Sequence, residues 1–107
     1  MIERWERDSN VPVILYEGGV PVSVGMAREI SLQGVYVEIG EVPFRRHQIL
    51  EVGFSIHDDL DDIEWCRIPS IVVDRDALGI RLMFDEEDLR TRKAVQALLR
   101  ERRRAAG

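Results

Sequence analysis

Apolar residues recur at every second position on both sides of a short polar turn, and this alternation constrains the fold more than any other feature. The apolar positions before the turn are Val20, Val22, Val24, Met26 and Ile30, and those after it are Val35, Val37 and Ile39. Successive side chains of a β-strand point to opposite faces, so a period of two predicts strands with one buried face. We therefore predict that both sets face a common core.

The turn carries residues whose chemistry suits a ligand site. Glu29 and Ser31 are two positions apart, so we expect both to project side by side from the more polar face of the strand. Gly34 can adopt a positive φ, or let a ligand approach the backbone. The other interpretation is structural, namely a hairpin corner closed by a serine turn.

Further strands are predicted at residues 11–16, 50–56, 63–73 and 80–84, where alternation resumes between turn signals. Gly18-Gly19 predicts a hairpin turn, and residues 57–62 and 74–77 predict polar turns. Pro69 interrupts the fifth strand, so we expect a bulge or bend at residues 67–69. Six short antiparallel strands predict a small closed or nearly closed β-barrel, because closure removes exposed edges.

The pattern becomes helical after Asp85, which is predicted as the helix N-cap of a helix over residues 86–104. Its apolar stripe is formed by Leu89, Val95, Leu98 and Leu99. Its last turns are rich in arginine, which favours the negative end of the helix dipole. We expect the stripe to cover a mouth or flank of the barrel, or a second subunit.

Composition predicts one domain over residues 1–107, with an arm at 1–10, a barrel at 11–85 and the terminal helix. No apolar run approaches the roughly 20 residues of a membrane helix, so no membrane insertion is predicted. The N-terminus lacks the apolar core of a signal peptide, and a lone Cys66 cannot form an internal disulfide, which favours the cytoplasm. A net charge of −5 argues against nucleic-acid binding through phosphate contacts.

The segment at residues 29–37 resembles the signature of PilZ domains, the bacterial receptors for cyclic di-GMP. That signature is Asp or Asn, any residue, Ser, two residues and Gly, followed by an alternating strand. Ser31 and Gly34 match it, and Glu29 occupies the acidic position with one extra methylene. The resemblance extends from about Val11 to the terminal helix, and residues 79–84 are similar to the family's last strand. It implies a six-stranded antiparallel barrel with a C-terminal helix.

The resemblance also implies a dianionic ligand, held by the turn motif and by two arginines with three residues between them before the first strand. Here Arg4 and Arg7 are separated by only two residues, and positions three apart do not share a face of an extended chain. One charge-assisted hydrogen bond contributes about 1.5–3 kcal/mol, so the loss of one arginine weakens binding roughly ten- to a hundredfold. The candidate cyclic di-GMP residues are Arg4, Arg7, Glu29, Ser31 and Gly34.

We therefore predict a noncanonical PilZ protein that binds cyclic di-GMP weakly or not at all and acts through a protein partner in motility, pilus or surface behaviour. Arg45-Arg46 and the basic helix end are candidate contact surfaces. One alternative is a genuine cyclic di-GMP receptor, whose mobile arm supplies Arg4 and Arg7. A second is a small barrel that binds single-stranded nucleic acid, against which the acidic balance and few aromatic residues speak.

No catalytic residue, metal site or cofactor is predicted. The cluster Asp58, Asp59, Asp61 and Asp62 lacks the spaced acids and glycine of a calcium loop, and is interpreted as a solvated turn. His47 and His57 have no partners at metal-ligand spacing. Cys66 is interpreted as a packing residue, and no phosphate loop or nucleophile motif is present.

Overall fold

The chain forms a six-stranded β-barrel followed by one helix. A computed structural model describes residues 10–41, 43–57, 63–85 and 89–106, with the backbone alone described for residues 57, 89 and 101–106. The elements are β1 (Val11–Glu17), β2 (Val20–Ile30), β3 (Gly34–Glu38), β4 (Ile49–His57), β5 (Ile63–Arg75), β6 (Gly79–Phe84) and α1 (Leu89–Ala106). The strands close in the order β1-β2-β3-β6-β5-β4, with every pairing antiparallel. The predicted mainly β barrel with a C-terminal helix is confirmed.

Period-two alternation places the core correctly in β3, β4 and β6. The buried side chains of β4 and β6 are Leu50, Val52, Phe54, Ile56, Ile80, Leu82 and Phe84. Val35 and Val37 of β3 are buried with them, and Ile39 packs against this core. Removing apolar surface from water contributes about 25 cal/mol per Å², so these inward faces are the main source of stability.

The alternation predicted the wrong face for the first half of β2. Val20, Val22 and Val24 are exposed, whereas Ala27 and Ile30 are buried although they lie three positions apart. Between Ala27 and Glu29 the pairing of β2 with β3 skips Arg28, which is therefore a β-bulge. One extra residue shifts the side chains before it to the opposite face, which places Val24 outside the barrel. A second irregularity, in the pairing of β2 with β1, skips Val22, so the phase changes again before Val20 at the start of the strand.

The bulge predicted at residues 67–69 of β5 is wrong. That strand pairs with β4 without a break there, and its irregularity lies between Val72 and Asp74, opposite β6. The carbonyl of Pro69 accepts a hydrogen bond of 3.0 Å from the N–H of Asp85, just beyond the end of β6. In an antiparallel sheet, the N–H and C=O of one residue point toward the same neighbouring strand. The Pro69 carbonyl points toward the β6 side, so pairing with β4 does not require the N–H that proline lacks.

The terminal helix packs on its own barrel. Val95, Leu98 and Leu99 are buried, and α1 contacts β4 and β5, which confirms these members of the predicted stripe. The predicted start at residue 86, with Asp85 as the N-cap, involves residues 86–88 outside the described part of the chain, and stays a prediction. Within the described residues, no helix is long and apolar enough to cross a membrane.

Candidate functional site

Ser31 lies at the corner between β2 and β3, and its side chain is fully buried. Its hydroxyl oxygen accepts hydrogen bonds from the N–H groups of Gln33 (3.1 Å) and Gly34 (3.2 Å). Its own N–H donates to the Gly34 carbonyl at 2.9 Å. The predicted position of Ser31 on the polar face beside Glu29 is wrong, because the hydroxyl turns back to satisfy the backbone of the corner. Locally, the corner is a serine turn.

Gly34 is required by the neighbouring strand. It begins β3 opposite Met83 of β6, and its φ is not positive. A Cβ atom at this position would lie 2.1 Å from the carbonyl oxygen of Leu82. The absence of a side chain therefore lets two backbones approach each other closely, which is one of the standard uses of glycine.

Glu29 is engaged by a residue from the far end of the sequence. Its carboxylate Oε2 lies 3.0 Å from Nη2 of Arg81, and both side chains are about one-third exposed. Tyr36 on β3 pairs with Glu29 on one side and with Arg81 on the other. The Arg81 guanidinium lies 5.4 Å from the centre of the Tyr36 ring, within cation–π range. The three side chains form a row across β2, β3 and β6.

Tyr36 continues this row to Asp76. Its hydroxyl donates to Asp76 Oδ1 at 2.8 Å, and the same oxygen accepts the N–H groups of Leu78 and Gly79 at 2.9 Å each. Burial, followed by the Asp76 hydrogen bond, raises the pKa of Tyr36 to about 12. The Tyr36 hydrogen bond and the two backbone N–H groups lower the pKa of Asp76. Asp76 therefore closes the turn between β5 and β6, which is shifted from the predicted residues 74–77 because β5 continues to Arg75.

The pH dependence of this row can be tested with Tyr36→Phe. The pKa of folded Tyr36 lies above its ordinary value of 10.0, so its contribution to stability is complete below pH 10 and disappears as the pH rises through about 12. In an ultraviolet titration of tyrosinate we expect a step near pH 12 that is absent from Tyr36→Phe. If the variant retains that step, Tyr36 is not the group with the raised pKa.

Arg28 is a residue of this corner that sequence analysis missed. It lies at the bulge of β2, where its Nε donates to Glu38 Oε2 at 3.3 Å. It also donates to the side chain of Asn10, the residue that precedes β1. The end of the N-terminal segment therefore lies beside the turn motif. Arg4 and Arg7 themselves lie outside the described residues.

The side chains of Cys66 and His47 show no arrangement that indicates a catalytic role among the described residues. Cys66 packs partly buried against the core, and burial, followed by the charge of Glu64, raises the pKa of its thiol. His47 lies exposed in the loop before β4. Among the residues that the structure describes, no group of three or more side chains could hold a metal ion, and the acidic residues 58–62 fall outside them.

Comparison with known proteins agrees with this architecture. The family model of the PilZ domain matches residues 3–101. The chain belongs to the PilZ domain family. Among solved structures, the PilZ domain of CeSA from a cellulose-synthesizing bacterium has a TM-score of 0.71 and 14% sequence identity, covering 89% of this chain and 93% of that one. No curated protein matches.

Membership of the PilZ family links the protein to cyclic di-GMP pathways, and confirms the predicted family. PilZ domains are binding and adaptor modules rather than enzymes. The solved domain, at its low identity, supports the barrel fold alone. Arg4, Arg7, Glu29, Ser31 and Gly34 remain predicted ligand residues.

Proposed function

We propose that this PilZ domain is a noncanonical cytoplasmic adaptor, which acts through contacts with a protein partner in motility, pilus or surface behaviour and binds cyclic di-GMP weakly or not at all. One observation carries the proposal: both polar side chains of the turn motif are already engaged within the chain. The Ser31 hydroxyl is bound to the corner backbone, and the Glu29 carboxylate is paired with Arg81.

The interactions of Ser31 and Glu29 differ in how strongly they oppose the binding of a ligand. The Glu29–Arg81 pair is partly exposed, and such pairs contribute only about 0–1 kcal/mol, so a ligand can displace it. Ser31 is different because its side chain is fully buried, so a ligand phosphate reaches the O–H group only if the corner opens. Opening withdraws the hydroxyl from the buried N–H of Gly34, and a buried donor left unsatisfied costs about 1–3 kcal/mol, which lowers affinity roughly ten- to a hundredfold. A nucleotide that required this hydroxyl would therefore bind poorly.

One observation favours the second candidate, a genuine receptor that uses Arg4, Arg7, Glu29, Ser31 and Gly34. The hydrogen bond from Arg28 to Asn10 brings the start of β1 beside the motif. Arg7 and Arg4 precede Asn10 by three and six residues in the sequence. An extended chain of three residues spans about 10 Å and one of six residues about 20 Å.

Titration calorimetry with cyclic di-GMP separates the two candidates. For the full chain we expect no saturable binding in the micromolar range, which corresponds to less than about 8 kcal/mol of binding free energy. The opposite result is micromolar binding that Arg4→Ala and Arg7→Ala abolish and that Arg45→Ala, a change of an exposed loop arginine, leaves intact. That pattern would establish the receptor. Ser31→Ala is unsuitable here, because it also removes the acceptor of two backbone donors.

A further inference from the structure

The barrel is only partly joined where its first and fourth strands meet. β1 and β4 form just three residue pairs, Ile14 with Gly53, Leu15 with Val52 and Tyr16 with Glu51. Before Ile14 and after Gly53 the two strands form no further pairs. Among the described residues, no strand pairs with the facing edges of residues 11–13 of β1 and 54–57 of β4. We call these two edges the β1–β4 seam.

A groove of about 810 Å³ lies along the seam. Its lining includes Pro12, Ile14, Val24, Met26, Ser55 and Trp65. Val24 is 70% exposed and Trp65 is 46% exposed, so large apolar surfaces from β2 and β5 lie open to solvent. Leu98 of α1 also lines the groove, which connects it to the barrel interior. The surface is therefore mainly apolar and is bordered by unpaired strand edges.

We propose that the β1–β4 seam binds an extended segment of a partner protein, which pairs with the edge of β4 and places apolar side chains between Val24 and Trp65. This inference specifies the partner chemistry of the proposed adaptor function and rests on it. A strand fits because unpaired backbone N–H and C=O groups are satisfied by another extended chain, whereas a helix offers no free backbone groups along its side. Residues 54–57 span about 13 Å, enough for a segment of four or five residues.

The negative charge near the groove further restricts the chemistry of the partner segment. Glu64 lies exposed on β5 next to Trp65, whereas Glu38, which lines the groove, is paired with Arg28. An extended segment with lysine or arginine beside its apolar positions complements the Glu64 carboxylate. A second copy of this chain is disfavoured, because each copy carries a net charge of −5 and like charges repel. The expected partner segment is therefore apolar, extended and basic.

The test uses a short acetylated peptide of alternating valine and threonine that ends in lysines. Its control has the same side chains but is N-methylated at alternate amides, so it cannot form a ladder. With the full chain, we expect the first peptide to slow hydrogen exchange at those amides of residues 54–57 that point away from β5. We expect the control to bind at least about tenfold more weakly, because several backbone hydrogen bonds are lost.

A matched pair of variants locates the site. Val24→Lys should weaken peptide binding about tenfold or more, because it places a charge in the groove near the lysines of the peptide. Val20→Lys is the control, since Val20 is also exposed on β2 but does not line the groove. Both positions are open to solvent, so neither change should unfold the barrel.

Four results would overturn the seam proposal: no binding of the first peptide, equal binding of the N-methylated peptide, equal effects of the two valine variants, or protection in the free chain of those amides of residues 54–57 that point away from β5. The last result would identify the occupant as residues 1–9 or a second copy, which sedimentation distinguishes. The proposed adaptor function would be contradicted by a different observation, micromolar binding of cyclic di-GMP. Failure of the seam proposal and failure of the adaptor function can therefore be distinguished.

Discussion

Gly34→Ala is expected to lower the free energy of unfolding by about 3 kcal/mol or more, the upper end for overpacking of a well-packed interior. The added Cβ would lie 2.1 Å from the Leu82 carbonyl oxygen and 3.3 Å from the Met83 Cα. Both atoms belong to the backbone of β6, so no side chain can rotate away to relieve the overlap. The strands β3 and β6 must therefore separate at the corner of the candidate site.

Denaturant unfolding measures this change, with Gly18→Asn as its control. Gly18 has a φ of 58° and no neighbouring atom within 4 Å of an added Cβ, and asparagine tolerates this conformation. The control should lose less than about 1 kcal/mol. Equal losses at the two glycines would contradict the close approach of β3 and β6. The expected result also means that lost nucleotide binding in a Gly34 variant would report an altered fold rather than a lost ligand contact.

Val95→Asp is expected to lower the free energy of unfolding by about 3–5 kcal/mol, the range for an uncompensated buried charge. Val95 is completely buried between α1 and the barrel. A carboxylate there must lose its water or take up a proton, and both processes oppose docking of the helix. We expect amide exchange in α1 to become faster than exchange in β3 and β6.

Gln96→Asp provides the matched control, since residue 96 is exposed one position further along the same helix. It introduces the same charged residue and lowers helix propensity at least as much as Val95→Asp does, and it should change stability by only about 0.5 kcal/mol. If both variants were equally destabilised, helix propensity rather than docking would be responsible. A large effect at Val95 alone would support a helix whose apolar stripe is occupied by its own barrel.

The sequence predicted the inward faces of β4 and β6 because their alternation is uninterrupted. Each strand repeats apolar and other residues at a period of two, and local backbone geometry converts that period directly into two faces. The stripe of α1 follows from the same reasoning at the helical period, and Val95, Leu98 and Leu99 are buried accordingly. In these elements the information is local, so no knowledge of the neighbouring strands is needed.

The corner between β2 and β3 shows where local reasoning fails. Whether Arg28 is paired or bulged depends on the register with β3, and that choice decides which face Val24 occupies. The burial of Ser31 likewise depends on which backbone donors remain unpaired at the corner. Neither property is contained in the spacing of the β2 residues themselves.

The sequence by itself determined the strand-rich fold, the inward faces of the regular strands, the apolar stripe of the helix and the resemblance to the family. The tertiary structure alone decided that Glu29 meets Arg81, a residue 52 positions away, because barrel closure places β3 between β2 and β6. It also decided that β1 and β4 form three pairs, and that no strand among the described residues pairs with the rest of the seam. The physical reason is that side-chain direction depends on local backbone geometry, whereas register, bulges and the partners across strands depend on the packing of segments that are distant in sequence.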